Sequence, residues 1–258
     1  MIGFFIKKAF FDAWDNLIGL VVLNIGFLAV FMIFSLGMQY GGASSLMTLL
    51  MMVISIILFS FHSVGVANIT KNYTDYKRVG FLGYKEGIKL FSTHAIFLSI
   101  VNFLIITLAS VVMPFYFNIG NYVGLFLGII TFWILLTLLL SIQFYLPLMS
   151  RLTGDKPLKT FKKCFIMAIG NLGTTVFLFT YNIIQIILSI LTAGLLFNFT
   201  GISLANQVVF KLLLMKLDWL DENPDENIKN VNWEDVLYEE KENVGHRTLK
   251  NMIFPWKD

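Results

Sequence analysis

Charged residues are missing from most of this chain. Between Leu90 and Ser150, sixty-one consecutive residues include no Asp, Glu, Lys or Arg, and similar uncharged runs cover residues 16–70 and 164–210. A helix needs about 20 apolar residues to cross the hydrocarbon core of a bilayer, so each run has room for two crossings and a turn. The sequence therefore predicts an all-α polytopic membrane protein with six transmembrane helices arranged as three hairpins.

The sixth of these helices is the least certain in the sequence. We expect helices at residues 17–37, 46–67, 94–113, 122–146, 171–191 and 195–214. The last of them contains Asn198, Asn206, Gln207 and Lys211, which are unusual residues in a hydrocarbon environment. A re-entrant or tilted sixth helix, buried against the others, is a second interpretation.

An amphipathic segment precedes each hairpin, at residues 1–16, 79–91 and 156–170. In the first segment Lys7, Lys8, Asp12 and Asp15 share one helical face, which predicts a helix lying in the membrane interface with these side chains in water. Shifting the first unit by 78 residues aligns it with the second, and shifting it by 155 aligns it with the third. A repeat of about 77 residues is therefore one interpretation, and chance similarity among hydrophobic helices is the other.

Acidic residues are scarce in the first part of the chain and frequent in the last. Residues 1–217 carry 14 bases and 5 acids, whereas residues 218–258 carry 5 bases and 11 acids, so we divide the chain into a transmembrane domain and an acidic tail. The bases precede or follow the hairpins, and the turns inside them carry no charge. Because basic loops stay in the cytoplasm, we expect a multi-pass protein of the cytoplasmic (inner) membrane with both termini inside, and a first helix that is not cleaved.

No pattern in the sequence indicates catalysis. The three histidines lack the spacing of a metal site, no glycine-rich phosphate loop is present, and the predicted spans contain no Asp or Glu. The single cysteine, Cys164, cannot form an internal disulfide. We therefore expect no enzymatic activity, no metal, no cofactor and no nucleic-acid partner.

Polar side chains inside the predicted spans allow two interpretations. They could form a binding site for a small neutral solute, or they could form hydrogen bonds between helices. The residues are Asn24, His62, Asn102, Gln143, Asn182, Gln185, Asn206 and Gln207.

Three glycines, Gly120, Gly124 and Gly128, occur at every fourth position near the start of the fourth predicted helix. Small residues with this spacing allow two helix backbones to approach closely. We expect them to pack against a helix of the same chain, with a dimer interface as the alternative, so an oligomer is left open.

The end of the tail combines bases with large apolar side chains, which a solvated linker would not need. We predict that it is a docking peptide for a partner or for the chain's own loops, and the residues concerned are Arg247, Leu249, Ile253, Phe254 and Trp256.

Two segments, Val66–Lys89 and Tyr145–Asn171, resemble the YesL-like family of bacterial membrane proteins. The resemblance covers roughly residues 10–215 and implies a multi-span protein of uncharacterised activity, often encoded beside carbohydrate ABC importers. We expect a non-enzymatic accessory or assembly subunit of a membrane complex, with the bilayer and other membrane or cytoplasmic proteins, such as ABC transporter subunits, as partners. The alternative is a membrane component that itself forms a pathway or binding site for a small neutral solute.

Overall fold

The protein is a bundle of α-helices, known from a computed structural model that describes residues 1–41, 46–224, 231–245 and 247. Six helical segments in this part of the chain are long and apolar enough to cross a membrane, which confirms the predicted all-α polytopic fold. We call them spans 1 to 6, and they are Leu17–Gln39, Leu46–Thr74, Ser92–Asn118, Tyr122–Arg151, Leu172–Leu191 and Phe199–Glu222.

Short helices precede each pair of spans, at almost the predicted positions. The helices in chain order are α1 (Ile2–Asp15), α2 (Leu17–Gly41), α3 (Leu46–Thr74), α4 (Phe81–Leu90), α5 (Ser92–Thr107), α6 (Met113–Asn118), α7 (Tyr122–Ile142), α8 (Tyr145–Arg151), α9 (Pro157–Gly170), α10 (Leu172–Leu191), α11 (Phe199–Glu222), α12 (Trp233–Val236) and α13 (Tyr238–Val244). A π-helical turn, Leu108–Val112, joins α5 to α6 within span 3.

One hinge residue joins each preceding helix to its span. Asn16, Phe91 and Asn171 all leave the helical conformation in the same way, with φ between −111° and −132° and ψ between 22° and 47°. Asn16 and Asn171 also donate a side-chain hydrogen bond to the carbonyl four residues earlier. The predicted shift of 155 residues superposes these two hinges, whereas the shift of 78 places Asn16 three residues beyond Phe91.

The third hairpin is shorter than the other two. Its turn is held by Asn24 of span 1, which donates to the Leu195 carbonyl at 2.9 Å and accepts from the Thr200 amide at 3.3 Å. Phe199, the first residue of α11, lies against Phe27 and Phe59 in the middle of spans 1 and 2. The sixth helix is therefore continuous and buried, but it begins at mid-height of the bundle rather than at its far end.

The prediction for α1 was wrong in one respect. Lys8 and Asp12 do not face water. They are 0% and 3% exposed, because the end of α3 and the tail cover this face of α1. Amphipathicity identified the helix correctly, but it cannot show that a charged face is covered by residues more than 200 positions away. Phe5 and Ala9 of the same helix pack into the main apolar core with Val208, Val209 and Leu212 of α11.

Candidate functional site

Six buried or half-buried charged side chains meet at the end of the bundle where spans 2 and 4 finish beside the middle of span 6. We call them the ion cluster, and they are Lys8, Asp12, Asp75, Arg151, Lys211 and Glu240. Their formal charges balance, with three bases and three acids. A balanced set is required here, because an unpaired charge removed from water costs several kcal/mol.

Lys8 is the centre of the cluster and is fully buried. Its ammonium lies 3.0 Å from Asp12 and 3.0 Å from Glu240, and it also donates to the Thr74 carbonyl and to the Tyr76 hydroxyl. Lys211 completes the arrangement by pairing with the other oxygen of Glu240 and by donating to the same Thr74 carbonyl at 3.0 Å. Two ammonium groups thus hold one carboxylate from the tail.

Arg151 forms the second half of the cluster. Its guanidinium makes a bidentate contact with Asp75 at 3.1–3.2 Å and donates to the Thr74 hydroxyl and to Gln207. The Gln207 amide in turn donates to Ser150 and to the Ala67 carbonyl. This chain of hydrogen bonds connects spans 2, 4 and 6.

Tyr76 contacts Lys8, Lys211 and Glu240 from an unusual backbone conformation. Its φ of 58° lies in the left-handed region, which is uncommon for a residue other than glycine. The ring lies 4.1 Å from the Lys8 ammonium and 5.2 Å from that of Lys211, and the hydroxyl donates to Glu240 at 2.9 Å. A ring face and a hydroxyl therefore stabilise both the cations and the anion.

The pKa values of Asp12 and Glu240 are shifted in opposite directions. Loss of hydration raises the pKa of Asp12 to about 6, against the attraction of Lys8. Burial also acts to raise the pKa of Glu240, but Lys8 and Lys211 outweigh it and hold that pKa below its usual value. Glu240 is thus the carboxylate that the two lysines keep ionised.

The predicted polar residues do not converge on one site. Gln143, Asn182 and Asn206 form one group, in which the Asn182 amide donates to Asn206 at 2.9 Å and Gln143 donates to the Thr175 carbonyl at 3.0 Å. Gln185 lies beside Gly201 of α11, and its oxygen has no hydrogen-bond partner. These contacts connect spans 4, 5 and 6.

The remaining predicted residues form hydrogen bonds in other parts of the bundle. Asn24 holds the turn of the third hairpin, Gln207 belongs to the ion cluster, and Asn102 donates to Ser60 at 3.1 Å. His62 is bound between the Tyr84 hydroxyl at 2.7 Å and the Leu23 carbonyl at 2.9 Å. Because a carbonyl only accepts, the His62 proton belongs on Nε2. Most of these side chains therefore act as links between helices.

A small cavity nevertheless lies in the middle of the bundle. Its volume is about 170 Å³, and its polar lining residues are Ser63, Asn102, Ser203 and Asn206. Phe59 and Phe199 separate it from a larger apolar groove of about 380 Å³ between spans 1, 2 and 3. The groove exists because the short third hairpin leaves the far half of the bundle uncovered.

The glycines at the start of span 4 have different roles. A Cβ on Gly124 would lie 2.6 Å from the Tyr116 carbonyl, and one on Gly128 would lie 2.8 Å from the Phe117 ring, so both face the end of span 3 in the same chain. Gly120 has no atom near its Cβ position and adopts a φ of 73° in the turn. Gly120 was therefore wrongly grouped as a helix-packing residue, since α7 begins at Tyr122.

Only Arg247 of the predicted docking peptide lies within the described residues. Its guanidinium binds both Asp15 oxygens at 2.9 Å and lies 4.8 Å from the Phe11 ring. Leu249, Ile253, Phe254 and Trp256 lie outside the described residues. Residues 231–245 of the tail fold back on the bundle, and Val236, Leu237 and Val244 are buried there.

Metal chemistry receives no support from this part of the chain. Within the described residues, no group of three or more His, Cys, Asp or Glu side chains is placed to hold an ion. His94, like His62, is bound between a tyrosine hydroxyl and a carbonyl, those of Tyr145 and Asp155. Cys164 is buried and therefore inaccessible. Burial also raises the pKa of its thiol, which is not ionised at neutral pH.

Sequence reasoning missed the ion cluster because its members are distributed over five segments. One signal was available: Lys211 is the only charged residue between Cys164 and Lys216, and a lone base in a span requires an acid nearby. The identity of that acid, Glu240, could not be read from the sequence.

The chain was also compared with known proteins. No family model, no curated protein and no solved structure matches it. Its function is therefore inferred from its own residues.

Proposed function

We propose that the chain is a non-enzymatic accessory or assembly subunit of a membrane complex in the cytoplasmic membrane. The observation that carries this proposal is the closed interior: the ion cluster seals one end, and most polar side chains within the spans bind neighbouring helices. Such an interior suits a rigid scaffold better than a conduit. The resemblance to YesL-like proteins suggests an ABC-type solute transporter as the partner.

The orientation follows from the charges. The ion cluster and the basic segments around α1, α4 and α9 belong on the cytoplasmic side, and both termini with them. Cysteine labelling of intact cells tests this, because native Cys164 is fully buried and gives little background. Tyr122→Cys, at a residue 92% exposed, should label from outside, and Gly154→Cys only after the membrane is opened. Labelling of position 154 from outside overturns the orientation.

Purification from native membranes tests the accessory role. The tagged full-length chain should retain transporter subunits, and a chain without residues 246–258 should lose them while still inserting. Lys159→Gln is the control that should keep them, because Lys159 is 66% exposed and pairs with Asp155 rather than with the tail. If all three proteins purify without partners, the accessory proposal is wrong.

A solute pathway is the second candidate, and the central cavity favours it. Its four polar lining residues could bind a small neutral molecule, and the apolar groove leads toward it. Liposomes containing only this chain should then show flux of a small polyol, and Asn206→Leu should reduce it. Flux without any partner protein would replace the accessory role with this one.

A further inference from the structure

We propose that Lys8, Lys211 and Tyr76 form a binding site for a phosphate group, which the tail carboxylate of Glu240 occupies in this structure. We call these three residues the anion site. The ligand at the membrane surface is the phosphate of an anionic lipid headgroup. This inference goes beyond the accessory role and does not depend on it.

The charge balance shows that the site requires an anion. Arg151 is neutralised by Asp75 through a bidentate contact, which leaves Lys8 and Lys211 facing Asp12 and Glu240. If the tail leaves, three bases remain in the cluster with two carboxylates, Asp12 and Asp75. One positive charge is then uncompensated beside the apolar core, which favours another anion in place of the tail.

The geometry fits a group with two adjacent oxygens. Lys8 and Tyr76 both bind Oε2 of Glu240, and Lys211 binds Oε1. A phosphate monoester or diester presents two oxygens in the same way and accepts strong hydrogen bonds from ammonium groups. Tyr76 is 42% exposed, so the site reaches the surface on this side.

Outside the anion site, the tail is held by the buried side chains of Val236, Leu237 and Val244 and by few polar contacts. It contributes two short helices, α12 with four residues and α13 with seven, and its other polar contacts are a hydrogen bond from Lys7 to the Gly245 carbonyl and the pair of Arg247 with exposed Asp15. Residues 218–243 contain ten acids and two bases. An anionic membrane surface repels such a segment while supplying the competing phosphate.

Accessibility of the tail measures the competition. Val244 is 1% exposed in the docked tail, so Val244→Cys in a Cys164→Ala background reports release through its labelling rate. The full-length protein is placed in nanodiscs of phosphatidylcholine alone, whose phosphate is neutralised by its own choline, and in discs that also contain phosphatidylglycerol, whose phosphate carries a net charge. We expect labelling at least about tenfold faster in the mixed discs.

Two further arms identify the source of the phosphate. Inorganic phosphate added to phosphatidylcholine discs should leave the rate unchanged if the ligand is a lipid, and an increase there assigns the site to free phosphate instead. Potassium chloride of equal ionic strength controls for screening. Equal rates in all discs and salts, or acceleration by chloride as well, overturn the proposal.

Variants separate the site from general surface charge. Lys211→Gln should label fast in every disc, and its rate should no longer depend on the lipid. Lys159→Gln is the matched control, because Lys159 pairs with Asp155 at the surface and is 66% exposed, and it should behave like the parent.

A binding measurement covers the case in which a variant is poorly folded. Glu240→Gln removes the competing charge, so native mass spectrometry should find one more retained phosphatidylglycerol than in the parent. The double variant with Lys211→Gln should lose that lipid, and circular dichroism confirms that both remain helical. If Glu240→Gln retains no additional anionic lipid, the site does not bind phosphate.

Discussion

The first and sixth spans have nearly the same length, 23 and 24 residues, but opposite surroundings. Span 1 is only 17% buried within the protein and is among the most apolar spans. Span 6 is the least apolar and is 67% buried. Where the surrounding solvent is hydrocarbon, apolar side chains can remain on the outside, whereas polar ones must find partners inside.

Asn24 shows how the two spans depend on each other. It is fully buried in a helix that is mostly exposed, and both of its hydrogen bonds go to the turn that begins span 6. Burial is therefore decided by contacts of single residues rather than by the average character of a helix.

Gln207→Leu should produce the largest loss of stability. Gln207 is fully buried in span 6 and accepts a hydrogen bond from Arg151 while donating to Ser150 and Ala67. Leaving these groups without partners should lower the free energy of unfolding by about 2–4 kcal/mol. Thermal unfolding in detergent measures this loss.

The control is Ile18→Leu in span 1, at a residue 81% exposed, which should change the free energy of unfolding by less than about 0.5 kcal/mol. Similar losses for both variants would contradict the comparison.

Gly124→Leu extends the comparison to span 4, which is 28% buried. A leucine side chain here would collide with the backbone carbonyl of Tyr116 and with the side chain of Ile119. Neither group can move aside easily. We expect a loss of about 1–3 kcal/mol, seen as lower yield and a lower melting temperature in detergent. Gly154→Leu, at a position with open space, is the control. If Gly124→Leu has the yield and melting temperature of the parent, this face of span 4 contacts lipid rather than span 3.

Two glycine substitutions test whether local contacts outweigh average burial, because the more exposed span 1 should lose more stability than the buried span 6. In Gly26→Ala of span 1, the new methyl group would lie 2.4 Å from the ring of His62, which two hydrogen bonds hold in place. In Gly201→Ala of span 6, it would lie 3.0 Å from the end of the flexible Gln185 side chain. We expect a loss of about 1–2 kcal/mol for the first variant and below about 1 for the second. The opposite order would show that average burial, not local contact, controls the response.

A pH series should show the smallest effect, and it concerns Asp12 and Glu240 of the ion cluster, which lie beside Lys211 of span 6. Because the pKa of Asp12 is raised to about 6 in the folded protein, folding binds a proton between that pH and its ordinary value near 3.8. Stability from this group therefore increases by about 1 kcal/mol as the pH falls from 7 to 5. The lowered pKa of Glu240 acts in the opposite sense, and its contribution is lost at lower pH. Asp12→Asn should remove the increase, and an unchanged pH profile in this variant would exclude Asp12 as its source.

The sequence by itself determined the six spans, the three preceding helices and the positions where most of them begin. Bilayer thickness sets the length of a crossing, and amphipathic spacing marks a helix at an interface, so both can be read from neighbouring residues.

Only the tertiary structure decided which polar groups meet. Lys8 was expected in water because its charge was visible and its partner was not, since Glu240 lies 232 positions further along the chain. For the same reason, the eight predicted polar residues lie in several groups of contacts instead of one site. The mid-height start of span 6 depends on Asn24 of span 1. Contacts between distant residues carry no local periodicity, so they become visible only when the helices are packed together.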